Sequence, residues 1–251
     1  MTTMLDSVII AEKQNTQLFP LQQESHVRCD QCAIRNLSLC RAVQSLEIRK
    51  YMALGTTFSV SAKHNLFTQG EAASHIYIIT QGIARLYKML PDGRRQIVGF
   101  ALPGDILGIN QGESFSVSAD AITNLTACCF SKQRYFEFIM DKPHILQELL
   151  TLTKNELSLA QEQIVLLGQR SAEERVAAFI LGLRNRMKRS QHLSVTIPLM
   201  MSRQDIADYL GLTTETISRT LSKLMKSRLI LIVPDGVRIL NLQRLYELVA
   251  G

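Results

Sequence analysis

The sequence predicts an α+β protein in which a β-roll comes first, a long helix follows and a helical region ends the chain. Between residues 50 and 135, short apolar runs such as HIYIIT and LTACCF alternate with turns that contain Gly or Pro. This spacing is typical of a sandwich or barrel-like roll. At about residue 143 the apolar spacing changes to that of a helix. After residue 170, two capped helical patterns and a hairpin pattern indicate a separate C-terminal domain.

The composition is that of a soluble globular protein. Hydrophobic residues make up 46% of the 251 positions and charged residues 20%, and the net charge is +6. A chain of this size buries a real core, and its positive charge suits a polyanionic partner. The start MTTMLDSVII has no secretory signal pattern, and no stretch approaches ~20 continuous apolar residues. We therefore expect a cytoplasmic protein without a membrane span, whose thiols stay reduced.

Turn signals divide the predicted roll into short strands. They recur near Gly55, at Gln69–Glu71, at Gln81–Gly82, at Pro91–Gly93 and at Pro103–Asp105. The residues between them form the short apolar or alternating runs that are expected of strands. We therefore expect the roll to occupy residues 49–142, after an irregular segment over residues 1–48 that carries three cysteines.

The predicted long helix, residues 143–169, carries a regular apolar stripe. Its members are spaced alternately by four and three positions: Leu146, Leu150, Thr153, Leu157, Ala160, Ile164 and Leu167. Such an a/d seam over three heptads favours a two-helix coiled coil, and hence a homodimer. The alternative is an amphipathic helix that packs on its own β-roll.

Residues 202–230, SRQDIADYLGLTTETISRTLSKLMKSRLI, contain two short helical patterns joined by a tight turn. Ser202 is placed to cap the first helix with Asp205 at its third position, and Gly211 suits the turn. Thr213 is placed to cap a second helix that runs to about Lys226. This is the helix-turn-helix arrangement. The following LILIVPDGVRIL predicts a β-hairpin, or wing, that turns at 234–236.

The first turns of the second helix carry polar side chains that suit double-stranded DNA. Arg219 can contact guanine and Glu215 can accept from the cytosine amino group, with Ser218 on the same face. Thr213, Thr214 and Thr216 are predicted to contact phosphates, and Lys223 to position the helix electrostatically. The alternative is a helix whose polar side chains only keep it soluble. We assign residues 170–251, including a helix that begins with the capping box SAEE, to a winged helix-turn-helix DNA-binding domain.

Three of the five cysteines lie in CDQCAIRNLSLC, as Cys29, Cys32 and Cys40, and the other two are Cys128 and Cys129. Reduced thiols disfavour a disulfide and leave metal binding, redox chemistry or burial. Four thiolates suit zinc and an iron–sulfur cluster about equally. Adjacent strand residues point to opposite faces, so only one of the adjacent pair can join the N-terminal group.

The order of elements resembles the cyclic AMP receptor protein and FNR superfamily of bacterial transcription regulators. The segments SAEERVAAFI, SRQDIADYLGLTTETISRTLSKL and GFALPGDILG are similar to its FNR branch. The resemblance implies a roll of the cyclic-nucleotide-binding type and a regulator rather than an enzyme. It also implies that Glu215, Ser218 and Arg219 read a TTGAT half-site, so that a dimer binds TTGAT-N4-ATCAA and activates or represses genes.

The resemblance also implies an oxygen-sensing [4Fe–4S] cluster on Cys29, Cys32, Cys40 and Cys128. The seven-residue gap before Cys40 departs from the commonest spacing of the family. Zinc, or a thiol switch without metal, is the alternative on the same scaffold. A cyclic nucleotide is an unlikely ligand, because the stretch GDILGINQGESFSVSADAITNL has no arginine to pair with a cyclic phosphate.

Two further expectations come from the resemblance. The turn over residues 90–95 is expected to contact RNA polymerase. Enteric-type relatives place an acidic residue in the dimer seam, where this chain has Ala160. Alanine adds no charge repulsion, so we expect a dimer that is less prone to dissociate without its cluster than the family pattern implies.

Overall fold

The computed structural model describes Cys29 and residues 32–109, 112–189 and 195–250, so most of the predicted segment 1–48 lies outside the described residues. The roll consists of β1 to β8: Gly55–Val60, Asn65–Phe67, His75–Gln81, Ala84–Met89, Arg95–Ala101, Ile106–Leu107, Ser118–Ala121 and Leu125–Ser131. These strands form two four-stranded antiparallel sheets, in the orders β1-β8-β3-β6 and β2-β7-β4-β5.

The inside of the roll is filled by aromatic and aliphatic side chains from both sheets. The rings of Phe67 and Phe115 stack with their centroids 3.9 Å apart, and Tyr77 lies 5.9 Å from Phe67. Leu125 and Ile79 are buried in the same core. Since residues alternate between the faces of a strand, the opposite faces of the two sheets are available to pack other elements.

Short helices flank the roll. A 3-10 helix, Leu39–Ala42, and α1, Ile48–Leu54, precede it, and α2, Lys132–Ile139, follows it. Neither α1 nor α2 was predicted, and the expected boundary at residue 49 falls within α1. The turn expected near Gly55 was also wrong, because Gly55 is the first residue of β1. A side chain there would place its Cβ 2.5 Å from the ring of Phe130. The close approach of Phe130, and not a reversal of the chain, therefore explains why this position is a glycine.

The long helix α3 spans Pro143–Gln169, the range predicted for it, and has Pro in its first turn. The C-terminal domain follows with α4, Ala172–Arg189; β9, Thr196–Ile197; α5, Arg203–Leu210; α6, Thr214–Lys226; β10, Ile230–Val233; β11, Gly236–Ile239; and α7, Leu242–Ala250. Strand β11 lies between β10 and β9 in an antiparallel sheet. The predicted hairpin is thus present, with Gly236 already in the second strand.

Each outer face of the roll covers a different core. The sheet that contains β3 and β8 packs against the cysteine-bearing segment, α1, α2 and the start of α3. The sheet that contains β5 packs against α4, α5 and α6, since Ile97 and Phe100 share one buried cluster with Ile180 and Leu210. Over the described parts of the chain, no helix is long and apolar enough to cross a membrane.

Candidate nucleic-acid interface and thiol cluster

Local signals position the two helices of the helix-turn-helix as predicted. The hydroxyl of Ser202 accepts from the Asp205 amide, while the Asp205 carboxylate accepts from the Ser202 amide, which completes a capping box. Gly211 ends α5 with φ of 61°, in the left-handed region that glycine enters at low cost. The hydroxyl of Thr213 accepts from the Thr216 amide at the start of α6. Both helices therefore begin with a satisfied cap.

Helix α6 buries one face and presents the other to solvent. Ile217, Leu221 and Leu224 are buried in the domain core. On the opposite side, the side chains of Glu215 and Arg219 are 76% and 71% exposed, and their charged groups lie 3.7 Å apart. The face predicted to read bases is therefore free of packing contacts. A shallow concave surface on it is lined by Glu215, Ser218, Arg219, Ser222, Lys223 and Lys226.

Three of the side chains predicted to contact phosphates or to position the helix electrostatically already have partners. The hydroxyl of Thr213 holds the Thr216 amide at 3.1 Å and lies 2.9 Å from the Thr216 hydroxyl. It therefore acts first as the cap of α6. The ammonium of Lys223 pairs with Glu173 of α4. That pair is at the surface, where an ion pair contributes little and yields readily to another anion. Thr214 is exposed at the helix start, next to Glu215.

The apolar stripe of α3 is open to solvent along its middle. Leu150, Leu157 and Ile164 are 55%, 60% and 71% exposed, and the intervening Thr153 and Ala160 are exposed as well. These side chains do not pack on the roll, which argues against the alternative of a helix on its own roll for this part of α3. Only the ends differ: Leu146 packs beside the cysteine-containing core, and Leu167 is half-buried next to the α5–α6 turn.

The cysteines separate into one group of four and one outlier. Cys29, Cys40 and Cys128 are buried in one apolar cluster, and Cys32 packs against it. Cys129 instead packs against the core inside the roll. The two adjacent cysteines of β8 therefore face opposite sides of the sheet, as strand geometry predicts. None of these five cysteines, all of which the structure describes, is part of a disulfide.

Burial and mutual proximity disfavour negative charge on these sulfurs. The pKa of Cys128 is raised, first by burial and then by the neighbouring thiols of Cys40, Cys32 and Cys29. Burial likewise raises the pKa of Cys40, although hydrogen bonds with Ser38 and Tyr51 and the charge of Arg35 act in the opposite direction. Burial alone raises the pKa of Cys129 to about 11. The group of four would gain most from a ligand that compensates several thiolates at once.

The guanidinium of Arg35 supplies a buried hydrogen-bond donor that suits a negatively charged group bound by these sulfurs. Arg35 lies between Cys32 and Cys40 in the chain, and its Nη2 donates to the Val43 carbonyl at 2.9 Å. Its Nη1 is buried without a hydrogen-bond partner among the described residues. A buried unpaired donor is costly unless a ligand accepts from it. As they stand, no three His, Cys, Asp or Glu side chains in the described regions are grouped to hold a metal ion.

Sequence reasoning missed three residues of this site. Tyr51 and Tyr135 are fully buried in the same cluster as Cys40, and burial raises the pKa of both hydroxyls. They reach it from α1 and α2, the two helices that were not predicted. The sequence could have pointed to Arg35, because it lies inside the cysteine motif. No sequence pattern pointed to the two tyrosines.

Comparison with known proteins identifies the architecture. A model of the Crp-like helix-turn-helix domain matches residues 174–248, and one of the cyclic nucleotide-binding domain matches residues 57–142. The chain is 48% identical over 225 residues to the transcriptional activatory protein AadR of Rhodopseudomonas palustris, over 89% of this chain and 94% of that protein. It is 46% identical over 223 residues to the nitrogen fixation regulation protein FixK of Bradyrhizobium diazoefficiens, over 89% and 94% of the two chains.

A solved structure agrees with these relatives. FixK2 from Bradyrhizobium japonicum superposes with a TM-score of 0.73 and 35% identity, over 78% of this chain and 98% of that one. The relatives are regulators of transcription and not enzymes, which confirms the expected class of protein. With a cyclic-nucleotide-binding-type roll, a Crp-like helix-turn-helix and the relatives AadR and FixK, this chain belongs to the Crp/FNR family of DNA-binding transcription regulators.

Proposed function

We propose that this transcription activator responds to oxygen through a [4Fe–4S] cluster that is held by Cys29, Cys32, Cys40 and Cys128. The observation that carries the proposal is that Cys29, Cys40 and Cys128 are buried in one cluster against which Cys32 packs, while Cys129 packs against another. Four thiolates are the usual protein ligands of such a cluster. When bound, it would supply an oxygen-labile link between the N-terminal segment and the roll.

The protein's own contacts connect that segment to the long helix. Arg41, in the 3-10 helix next to Cys40, pairs with Glu148 of α3 at 2.6 Å. Glu47 approaches His144, in the first turn of α3, at 3.0 Å. Both pairs join the cysteine-bearing segment to the N-terminal third of α3. Docking of the segment therefore bears directly on how α3 is held.

The other end of α3 reaches the DNA-binding domain. The amide of Gln163 donates to the Tyr209 carbonyl of α5 at 3.4 Å. The side chain of Leu167 lies next to Gly211, in the turn between α5 and α6. One rigid helix thus touches both the thiol segment and the helix-turn-helix. Under this proposal, movement at its first end would reach the recognition helix through these contacts at its second end.

The exposed seam of α3 supports a homodimer, which suits a palindromic site. Two recognition helices related by a two-fold axis meet half-sites about one DNA turn apart. We propose TTGAT-N4-ATCAA as the site, read by Glu215, Ser218 and Arg219. Two linked contacts bind more tightly than one because the second is intramolecular.

The turn at Leu90–Arg95, whose Asp92 and Arg94 are exposed, is proposed to contact RNA polymerase.

A cyclic nucleotide is not part of the proposal. Asp120, in the stretch that lacks arginine, binds Arg85 in a bidentate pair at 2.6 and 2.8 Å. That guanidinium is directed toward α5, since it also binds Asp205. Inside the roll, the aromatic rings of Phe67 and Phe115 are in contact. Adding cyclic AMP is expected to leave operator affinity unchanged.

Anaerobic purification of the wild type and of two serine variants tests the proposal. The wild type is expected to be brown, to contain iron and inorganic sulfide, and to lose its visible absorption in air. Cys128→Ser is expected to lose the cluster, whereas the neighbouring Cys129→Ser keeps it. A colourless wild type that holds zinc through the same cysteines would favour the zinc alternative. Air-free protein without iron or sulfide that binds the operator at full strength would overturn the oxygen-sensing role.

A further inference from the structure

We infer that Tyr51 is a positioning residue that donates a hydrogen bond to the sulfur of Cys40 and so slows oxidation of a cluster bound there. The inference rests on the proposed function. The Tyr51 hydroxyl oxygen lies 3.4 Å from the Cys40 sulfur. The hydroxyl of Tyr135 lies 3.3 Å from that of Tyr51. A sulfur and two phenols thus form one buried chain.

Binding at the sulfur would set the direction of both hydrogen bonds. A free thiol can donate to a phenol or accept from it. A sulfur that binds a metal has released its proton to solvent and can only accept, so the Tyr51 hydroxyl must donate. Its oxygen is then free to accept from Tyr135. Charge-assisted bonds of this kind are stronger than neutral ones, and successive bonds in a chain strengthen one another.

Packing holds Tyr51 in place. Its ring lies 5.2 Å from that of Phe130, 5.7 Å from that of Phe138 and 5.9 Å from that of Tyr135, measured between centroids. The side chains of Tyr51 and Tyr135 are 1% and 0% exposed. The three rings and the low exposure of both tyrosines shield the Tyr51 hydroxyl from bulk solvent. The hydrogen bond is therefore a fixed property of the site.

A hydrogen bond to a ligating sulfur changes the redox balance of an iron–sulfur cluster. It draws negative charge from the sulfur and thereby stabilises the more reduced state. Its removal lowers the reduction potential and makes oxidation by air easier. A hydrogen bond worth about 1 kcal/mol corresponds to roughly a fivefold change in rate or equilibrium. We expect a change of that size.

The test compares three Tyr→Phe variants of the full-length protein, purified without air. Tyr51→Phe removes the donor to Cys40. Tyr135→Phe removes only the second bond of the chain and should have a smaller effect in the same direction. Tyr77→Phe is the matched control, because Tyr77 is buried on the opposite face of the same sheet, beside Cys129. The readouts are the rate at which visible absorption is lost in air and the reduction potential from a redox titration.

The expected order of air sensitivity is Tyr51→Phe, then Tyr135→Phe, then the control, which equals the wild type. Loss of absorption in Tyr51→Phe should be roughly fivefold faster than in the wild type, with a lower potential. If Tyr51→Phe does not accumulate as folded protein, Tyr135→Phe decides by the same comparison with the control. A wild type with a cluster and no difference among the variants overturns the role of Tyr51 alone. A wild type without iron overturns the proposed function as well.

Discussion

Asp205 of helix α5 accepts a hydrogen bond from Arg85 of strand β4, with 2.6 Å between Nη1 and Oδ1. Their side chains are only 4% and 21% exposed. The other carboxylate oxygen of Asp205 accepts from the Ser202 amide and hydroxyl at 3.0 and 2.7 Å. Arg95 reaches the first oxygen at 3.1 Å. One carboxylate therefore both caps the first helix of the helix-turn-helix and joins that domain to the roll.

The contact between Arg85 and Asp205 should give a measurable coupling energy. In a double-mutant cycle of Arg85→Ala and Asp205→Ala, the loss of the cap cancels and the interaction across the domains remains. We expect a coupling of about 1–3 kcal/mol in the free energy of unfolding, measured by urea denaturation. Each single substitution leaves the other group with one charged partner, since Arg85 still binds Asp120 and Asp205 still accepts from Arg95. The cycle, and not either single variant, therefore isolates the contact between the two domains.

The matched control is the exposed pair formed by Arg94 and Asp92, whose side chains are 78% and 49% exposed. Its cycle is expected to give no more than about 0.5 kcal/mol. Equal coupling in the two cycles would show that Arg85 and Asp205 do not hold the domains together.

The helix caps could be predicted from the sequence, whereas contacts between residues far apart in the chain could not. The caps at Ser202 and Thr213 and the turn at Gly211 depend on residues three or four positions apart, so the pattern is readable in the sequence. Arg85 and Asp205 lie 120 positions apart, and Tyr51 and Tyr135 lie 84 apart. No local periodicity connects such pairs, because only the folded roll brings them together.

The positions of the cysteines could likewise be predicted only in part from the sequence. Strand alternation predicted that Cys128 and Cys129 would face opposite ways, which the two separate cores confirm. It did not decide which face the N-terminal segment covers; only the resemblance favoured Cys128. Gly55 looked like a turn, yet it is a strand residue against Phe130. A glycine in a sequence does not reveal whether its backbone angles or its lack of a side chain matters.

The capping box at the start of α4 should be visible in the titration of the Glu174 carboxyl. The Glu174 carboxylate accepts from the Ser171 amide and from Arg170, each at 2.8 Å. Hydrogen bonds from Ser171, followed by the hydrogen bond from Arg170, lower the pKa of Glu174 to about 2. Because the folded pKa lies below the unfolded value of about 4.3, this contribution to stability is complete above that value and is lost as the pH falls toward 2.

Ser171→Ala should therefore raise the pKa of Glu174 toward its ordinary value, as measured by NMR titration of the side-chain carboxyl. The equivalent substitution Ser202→Ala removes the cap of a different helix and should leave Glu174 unchanged. A Glu174 that titrates near pH 4 in the wild type would contradict the hydrogen-bonded geometry.

The seam of α3 predicts which substitutions separate the subunits. Ile164 is 71% exposed and lies in the seam, so Ile164→Glu places like charges against each other in a dimer and should give monomers. Leu159 is 52% exposed but lies outside the seam, so Leu159→Glu is the matched control and should stay dimeric. Analytical ultracentrifugation at micromolar concentration measures both.

The same measurement tests the role of Ala160. Its side chain adds no charge to the seam, so the wild type without metal and in air is expected to remain largely dimeric. A wild type that is cleanly monomeric under those conditions would contradict this expectation. Monomers produced by both glutamate variants would instead assign the interface to a wider face of α3.

Recognition of DNA should separate base contacts from phosphate contacts on α6. Arg219→Ala is expected to cost about 1–3 kcal/mol of discrimination between TTGAT and a scrambled half-site. Lys223→Ala should weaken both sequences by a similar factor and reduce the salt dependence by about one ion. Glu173→Gln frees Lys223 from its partner on α4, so it should strengthen binding to both sequences at low salt. Fluorescence anisotropy over a salt series gives all three quantities. Unchanged preference for TTGAT in Arg219→Ala would mean that another face of α6 reads the bases.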